Sequence, residues 1–111
     1  MLPALTIGAV GCIDGPPCAA PELWVDIWKA WQDKNIAAAM TAQAKATKFT
    51  MLMREAGVHS ATKAVLTRRL SIDCGSGRLP NHPLKGNERE KILETVSTMG
   101  INTIDKPIIL N

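Results

Sequence analysis

The sequence contains no tyrosine, a single phenylalanine and only two histidines in 111 residues. Tyrosine and histidine are common proton-transfer side chains, so their scarcity narrows the acid/base chemistry open to this chain. His59 and His82 fall in expected loops, far apart and without a carboxylate at helical spacing, which argues against a metal site. There is no Gly-x-Ser-x-Gly elbow, no His-Glu-x-x-His pair and no Walker phosphate loop. Gly75-Ser76-Gly77 is too short for such a loop and lacks its flanking strand. The three cysteines, Cys12, Cys18 and Cys74, cannot all pair, and five residues separate the first two, which is not a zinc-ligand spacing. They read as small buried thiols in a reducing cytosol. No basic residue precedes Lys29, so the start lacks the features of a signal or transit peptide. The longest uncharged stretch, Met1 to Ile13, holds Pro3 and two glycines and is too short to span a bilayer. A cytoplasmic, membrane-free chain is expected.

The residues that are present describe one small, mostly helical chain. A hydrophobic fraction of 46% with 21% charged residues suits a globular chain, and 12.0 kDa is too little for a complete eight-stranded α/β barrel, which takes roughly 250 residues. Leu2 to Ile7 reads as the end of a helix stopped by Gly8. Val10 to Ile13 is a short apolar run of the kind a fully buried parallel strand shows. Pro21-Glu22 opens a helix over 21–34, with proline and an acid in the first turn. Its stripe is Leu23, Trp24, Ile27, Trp28 and Trp31, which carries every tryptophan in the protein.

An alanine-rich helix follows over 36–56. Ala37, Met40, Ala44, Thr47 and Met51 form one stripe on it, and Phe49, Leu52, Met53 and Ala56 continue apolar character on an adjoining face. Gly57 is its expected C-cap. Ser60 is the expected cap of a helix over 60–70, and Asn87 with Glu90 resembles a capping box opening a helix over 87–99. That last helix has a stripe of Ile92, Leu93, Val96 and Met99, and Gly100 ends it. Prolines 80 and 83 keep 78–84 extended. The tail carries Ile108-Ile109-Leu110 and reads either as a docked segment or as an extension.

Between positions 45 and 69, six basic residues (Lys45, Lys48, Arg54, Lys63, Arg68 and Arg69) face one acid, Glu55. No aromatic residue interleaves with them after Phe49, so a solvated helix face explains them better than nucleic acid does. The net charge of +3 adds little to the nucleic-acid case. From the residues alone, no catalytic constellation exists in this chain.

Taken in order, the segments resemble the C-terminal third of the dihydrodipicolinate synthase and N-acetylneuraminate lyase family. Gly8-Ala9-Val10-Gly11-Cys12-Ile13-Asp14-Gly15 is similar to the family's G-x-x-G-x-I-S-G around the eighth barrel strand. Pro21 follows at the family's distance. The alanine-rich helix after Asp33-Lys34-Asn35, then Thr62-Lys63-Ala64, Arg78-Leu79-Pro80, and Glu88 to Leu93 before Gly100-Ile101 continue the likeness over about residues 2 to 101.

The resemblance implies a fold that is mainly α as it stands. It would be the last strand and helix of a (β/α)8 barrel (residues 1–35) followed by a helical C-terminal domain (36–111). It implies a parent lyase or aldolase that forms a Schiff base with pyruvate or another 2-oxo acid, needs no cofactor and assembles as a homo-oligomer. Its substrate-binding positions here would be Ile13, Asp14 and Gly15, at the barrel mouth, where strands end and ligands bind. The Schiff-base lysine, the proton-shuttling tyrosine and the carboxylate-binding Gly-Thr-Thr lie on earlier strands, so no catalytic residue is expected here. Lys63, on an outer helix, does not fill the role. Met1 would then be a candidate internal methionine of a longer gene. Asp14 stands where the family has Ser or Gly, Cys18 where it often has Asn, and Pro16-Pro17 is unusual. An acid at the mouth would disfavour an anionic second substrate. The competing readings are a non-catalytic helical module that pairs with full-length subunits, and a small basic nucleic-acid binder.

Overall fold

A computed structural model describes residues 1–104. Among the described residues, five α-helices run α1 (Leu2–Thr6), α2 (Glu22–Gln32), α3 (Ile36–Glu55), α4 (Val58–Leu70) and α5 (Glu88–Thr98), with a single 3-10 turn at Pro16–Cys18. No strand occurs among the described residues. The chain divides into two compact units, Met1–Leu52 and Met53 onward, and the division falls within α3.

In the first unit, α1 buries Leu2 and Leu5, and the Leu2 N–H donates to Gln43 Oε1 at 2.7 Å. Gly8, at φ +98°, lets the chain leave α1 through a left-handed residue that L side chains rarely adopt. In α2, Glu22 sits in the first turn and Lys29 in the last, each sign matching its end of the helix dipole. Leu23 and Ile27 are fully buried beside Ala19 and Ala20. The three tryptophans are half-buried. Trp24 meets Phe49 edge-to-face, with centroids 6.4 Å apart and planes at 79°.

Helix α3 begins after Asn35, whose Oδ1 accepts the Ala38 N–H at 3.0 Å in an N-cap contact. Its buried face is Ala39, Ala46, Phe49 and Met53, not the stripe of Ala37, Met40, Ala44, Thr47 and Met51, which is exposed throughout. The two faces differ little in apolarity. What separates them is shape: Phe49 is the one ring available, and Ala39 and Ala46 leave space for neighbours on its side.

In the second unit, Gly57 (φ +89°) both ends α3 and precedes α4. Its N–H donates to the Arg54 carbonyl, and its own carbonyl accepts the Ala61 N–H. Helix α4 therefore starts at Val58, and Ser60 is an interior helical residue, not the expected cap. Ala61, Ala64 and Val65 of α4 and Ile92 and Val96 of α5 supply the buried faces where these helices pack, and Ile101 is buried as well. Full burial of a side chain such as Val65 or Ile92 is worth about 1.5–3 kcal/mol. The Asn87–Glu90 capping box does not form, since the Asn87 side chain makes no cap bond. Glu88 Oε2 accepts the Lys85 N–H at 2.6 Å. Arg69 Nε donates to the Asn102 carbonyl at 3.1 Å, and the Ile104 N–H donates to the Arg69 carbonyl at 2.9 Å, which ties the chain beyond α5 to α4. The Ile108-Ile109-Leu110 segment lies outside the described residues.

Candidate functional site

The segment between α1 and α2 contains all three expected substrate-binding positions. Ile7, Val10 and Ile13 are 88%, 90% and 104% exposed, against the usual fate of β-branched apolar residues. The backbone N–H and C=O groups from Val10 to Ile13 take no hydrogen bond among the described residues. The strand signal at 10–13 therefore goes unexpressed, for a simple reason. A strand exists through its pairing, and residues 1–104 contain no second strand to pair with.

Ile13, Asp14 and Gly15 are consecutive and exposed. Asp14 Oδ1 accepts the Gly15 N–H at 2.8 Å, and Cys18 Sγ donates to the Gly15 carbonyl at 2.8 Å. The turn then closes through Cys18 N–H to Gly15 O and Ala19 N–H to Pro16 O. Pro16 is buried, so Asp14 sits on a short anchored turn in which two prolines limit backbone freedom. A lone exposed carboxylate can accept hydrogen bonds or repel an anion. Its Oδ1 is bonded to the Gly15 N–H, and the turn can border a ligand.

A second set of polar residues was not anticipated from the sequence. On α4, Ser60, Lys63 and Thr67 recur at helical spacing, and all three hold the loop that follows. Ser60 Oγ donates to the His82 carbonyl at 2.5 Å, Lys63 Nζ donates to the Cys74 carbonyl at 2.8 Å, and Thr67 Oγ1 accepts the Cys74 N–H at 3.1 Å. Gly77 completes the contact, because a Cβ there would lie 2.6 Å from Ser60 Oγ. The i, i+3, i+7 spacing of polar residues was the available signal. Lys63 is thus a loop clamp, and His82 contributes only its carbonyl. A cavity of about 200 Å³ lies against this loop, bordered by Ser60, Ser76, Leu84, Arg89 and Glu90.

The basic cluster does not act as one surface. Lys63 and Arg69 are committed to carbonyls, while Lys45, Lys48, Arg54 and Arg68 are exposed. No group of three or more His, Cys, Asp or Glu able to hold a metal occurs among the described residues. No helix of the described residues is long and apolar enough to cross a membrane. Thr62 Oγ1 is buried without a partner, and nothing in the structure explains it.

No protein-family model matches the sequence, and no curated protein matches it either. The fold does have a counterpart: this helical arrangement is found as one part of a larger lyase chain. That chain is Proteus mirabilis N-acetylneuraminate lyase, superposing with a TM-score of 0.80 over 90% of the present chain at 20% identity. The present chain spans about a third of it, 34% of its length. The helical part of the fold implied by the order of segments is present, the barrel strand is not among the described residues, and the coverage is consistent with a C-terminal part of such a protein.

Proposed function

We propose that this chain is the C-terminal part of a Schiff-base lyase or aldolase of the N-acetylneuraminate lyase and dihydrodipicolinate synthase type, acting in the cytoplasm on pyruvate or another 2-oxo acid. The observation that carries the reading is the unpaired run from Val10 to Ile13, with Val10 and Ile13 90% and 104% exposed, within a chain whose fold matches a third of a lyase. In a complete barrel that run becomes the eighth strand. It gains neighbours on both edges and a helical layer outside, which is the setting its composition suits. Residues 1–35 then form the last strand-helix unit, and residues 36–111 the C-terminal helical domain.

On this reading Ile13, Asp14 and Gly15 border the substrate at the barrel mouth, with the Ile13 backbone toward the 2-oxo acid and Asp14 and Gly15 toward the second substrate. The chemistry itself belongs to an upstream lysine, which condenses with the ketone to a Schiff base, and to a tyrosine that moves the proton. The parent assembles as a homo-oligomer. The test is to extend the reading frame upstream of Met1, express the extended protein and treat it with pyruvate and borohydride. A reduced adduct on an upstream, strand-borne lysine is expected, with none on the 111-residue chain alone. An in-frame stop codon immediately upstream, or stoichiometric trapping on Lys63 in the short chain, would overturn the proposal.

A further inference from the structure

Asp14-Gly15 is the one place in the sequence where an aspartate or asparagine precedes a glycine. Both residues are exposed, and Asp14 Oδ1 accepts the N–H of that same glycine at 2.8 Å. The carboxyl carbon, one bond from Oδ1, therefore stands beside the backbone nitrogen with which it can close a five-membered ring. The Asp14 N–H and C=O take no hydrogen bond among the described residues, so nothing opposes rotation of this peptide unit. Downstream the chain is held, because the Gly15 carbonyl accepts the Cys18 N–H and Sγ and Pro16 is buried. A movable carboxyl thus faces a nitrogen on an anchored turn, which lowers the entropic cost of bringing the two together.

None of the other described aspartates is placed in this way. Asp73 reaches past its neighbour to the Gly75 N–H at 2.8 Å. Asp26 lies inside α2, where the next amide belongs to the helix ladder. The Lys34 N–H that follows Asp33 donates to the Trp31 carbonyl.

We infer that Asp14 is a self-modification site, converting to isoaspartate through a succinimide closed by the Gly15 nitrogen. The nitrogen attacks Asp14 Cγ, the new C–N bond forms as the C–OH bond breaks, and the N–H proton leaves with the hydroxyl as water. Water then adds to one of the two ring carbonyls. Opening at the side-chain carbonyl restores aspartate. Opening at the main-chain carbonyl leaves the chain running through Cβ, with the carboxylate on Cα. One water is lost and one regained, so mass is unchanged and no oxidant or other reactant enters. The product carries one extra carbon in the main chain between Ile13 and Gly15. The chemistry needs only the exposed turn and does not rest on the proposed function. Where the barrel reading holds, the same change displaces the carboxylate that borders the second substrate.

The test ages the 111-residue chain at body temperature in neutral buffer. Trypsin then releases Met1–Lys29 whole, since no basic residue precedes Lys29. A second form of this peptide with the same mass should accumulate. It should resist a protease that cuts before aspartate at position 14, while still being cut at Asp26, and it should accept methyl groups from an isoaspartyl methyltransferase. Asp14→Glu, whose ring would need a sixth member, should show none. Gly15 sits at φ −72° and ψ −55°, which any L residue adopts, so Gly15→Ala should keep the fold. It should nonetheless convert at least roughly tenfold more slowly, because a Cβ beside the nitrogen crowds ring closure. The folded chain should convert at least as fast as the same chain unfolded in guanidinium chloride, where only the local sequence acts. Slower conversion in the folded chain than in guanidinium overturns the proposal, since the fold then protects the site. So does an unchanged rate in Gly15→Ala, or an equal extent of conversion at Asp26, Asp33 or Asp73.

Discussion

Removing the ring at Phe49 tests which face of α3 holds the first unit together. Phe49 is completely buried and packs edge-to-face on Trp24 at 6.4 Å. Phe49→Ala removes the buried ring and leaves a cavity that surrounding side chains fill only in part, a change that costs about 3–5 kcal/mol in protein cores. The aromatic pair contributes about 0.5–1.5 kcal/mol beyond its area, so the upper half of that range is expected. Stability for a chain of this size is about 5–15 kcal/mol, so the loss is a large fraction of the whole. Met40→Ala, at a residue 62% exposed, should stay within about 0.5 kcal/mol of the parent. Urea unfolding followed by tryptophan fluorescence reads both, with Trp24 reporting directly on the ring it touches. The measurements belong at low protein concentration, so that pairing of copies does not add to apparent stability. Equal losses for the two variants, or a larger loss for Met40→Ala, would refute the assignment of the buried face.

Three further outcomes are expected. Gly77→Ala places a methyl 2.6 Å from Ser60 Oγ and should cost about 1–3 kcal/mol, with Ser60→Gly in the same chain restoring much of it in a double-mutant cycle. Lys63→Met should cost about 1–2 kcal/mol and speed amide hydrogen exchange at residues 72–77, because the Cys74 carbonyl loses its charged donor; unchanged exchange would remove Lys63 from the clamp. Replacing Val10 and Ile13 together by serine should leave thermal stability of the isolated chain within about 0.5 kcal/mol, since both are exposed, while lowering ANS fluorescence. A marked loss of stability there would mean that the 7–13 segment is packed in solution.

The order of helices, their approximate limits and the likeness to part of a lyase were legible in the sequence, because they rest on local signals. Pro21 and Glu22 mark the start of α2, Gly57 marks a break, and Gly100 follows α5. These residues act through their own backbone preferences and charges, and need no distant partner to do so. The stripe of α5 was legible for a related reason, as Ile92 and Val96 are apolar on a helix otherwise rich in charge.

Other features were decided only when distant residues met. In α3, alanines and methionines surround the helix, so periodicity did not choose a face. Phe49 against Trp24 and Gln43 on the Leu2 amide decided it. Ser60 has the chemistry of a helix cap, yet its hydroxyl meets the His82 carbonyl, 22 residues later, and α4 begins before it. Lys63 looks like any exposed lysine until the loop at Cys74 folds back over α4. The same division holds at the candidate site. The residue types of Val10 to Ile13 were set for a strand, but a strand is made by its neighbours. In this chain its backbone stays unpaired, and Asp14 and Gly15 stand on an exposed turn. Local preference is written one residue at a time; pairing and burial depend on what the rest of the chain brings within reach.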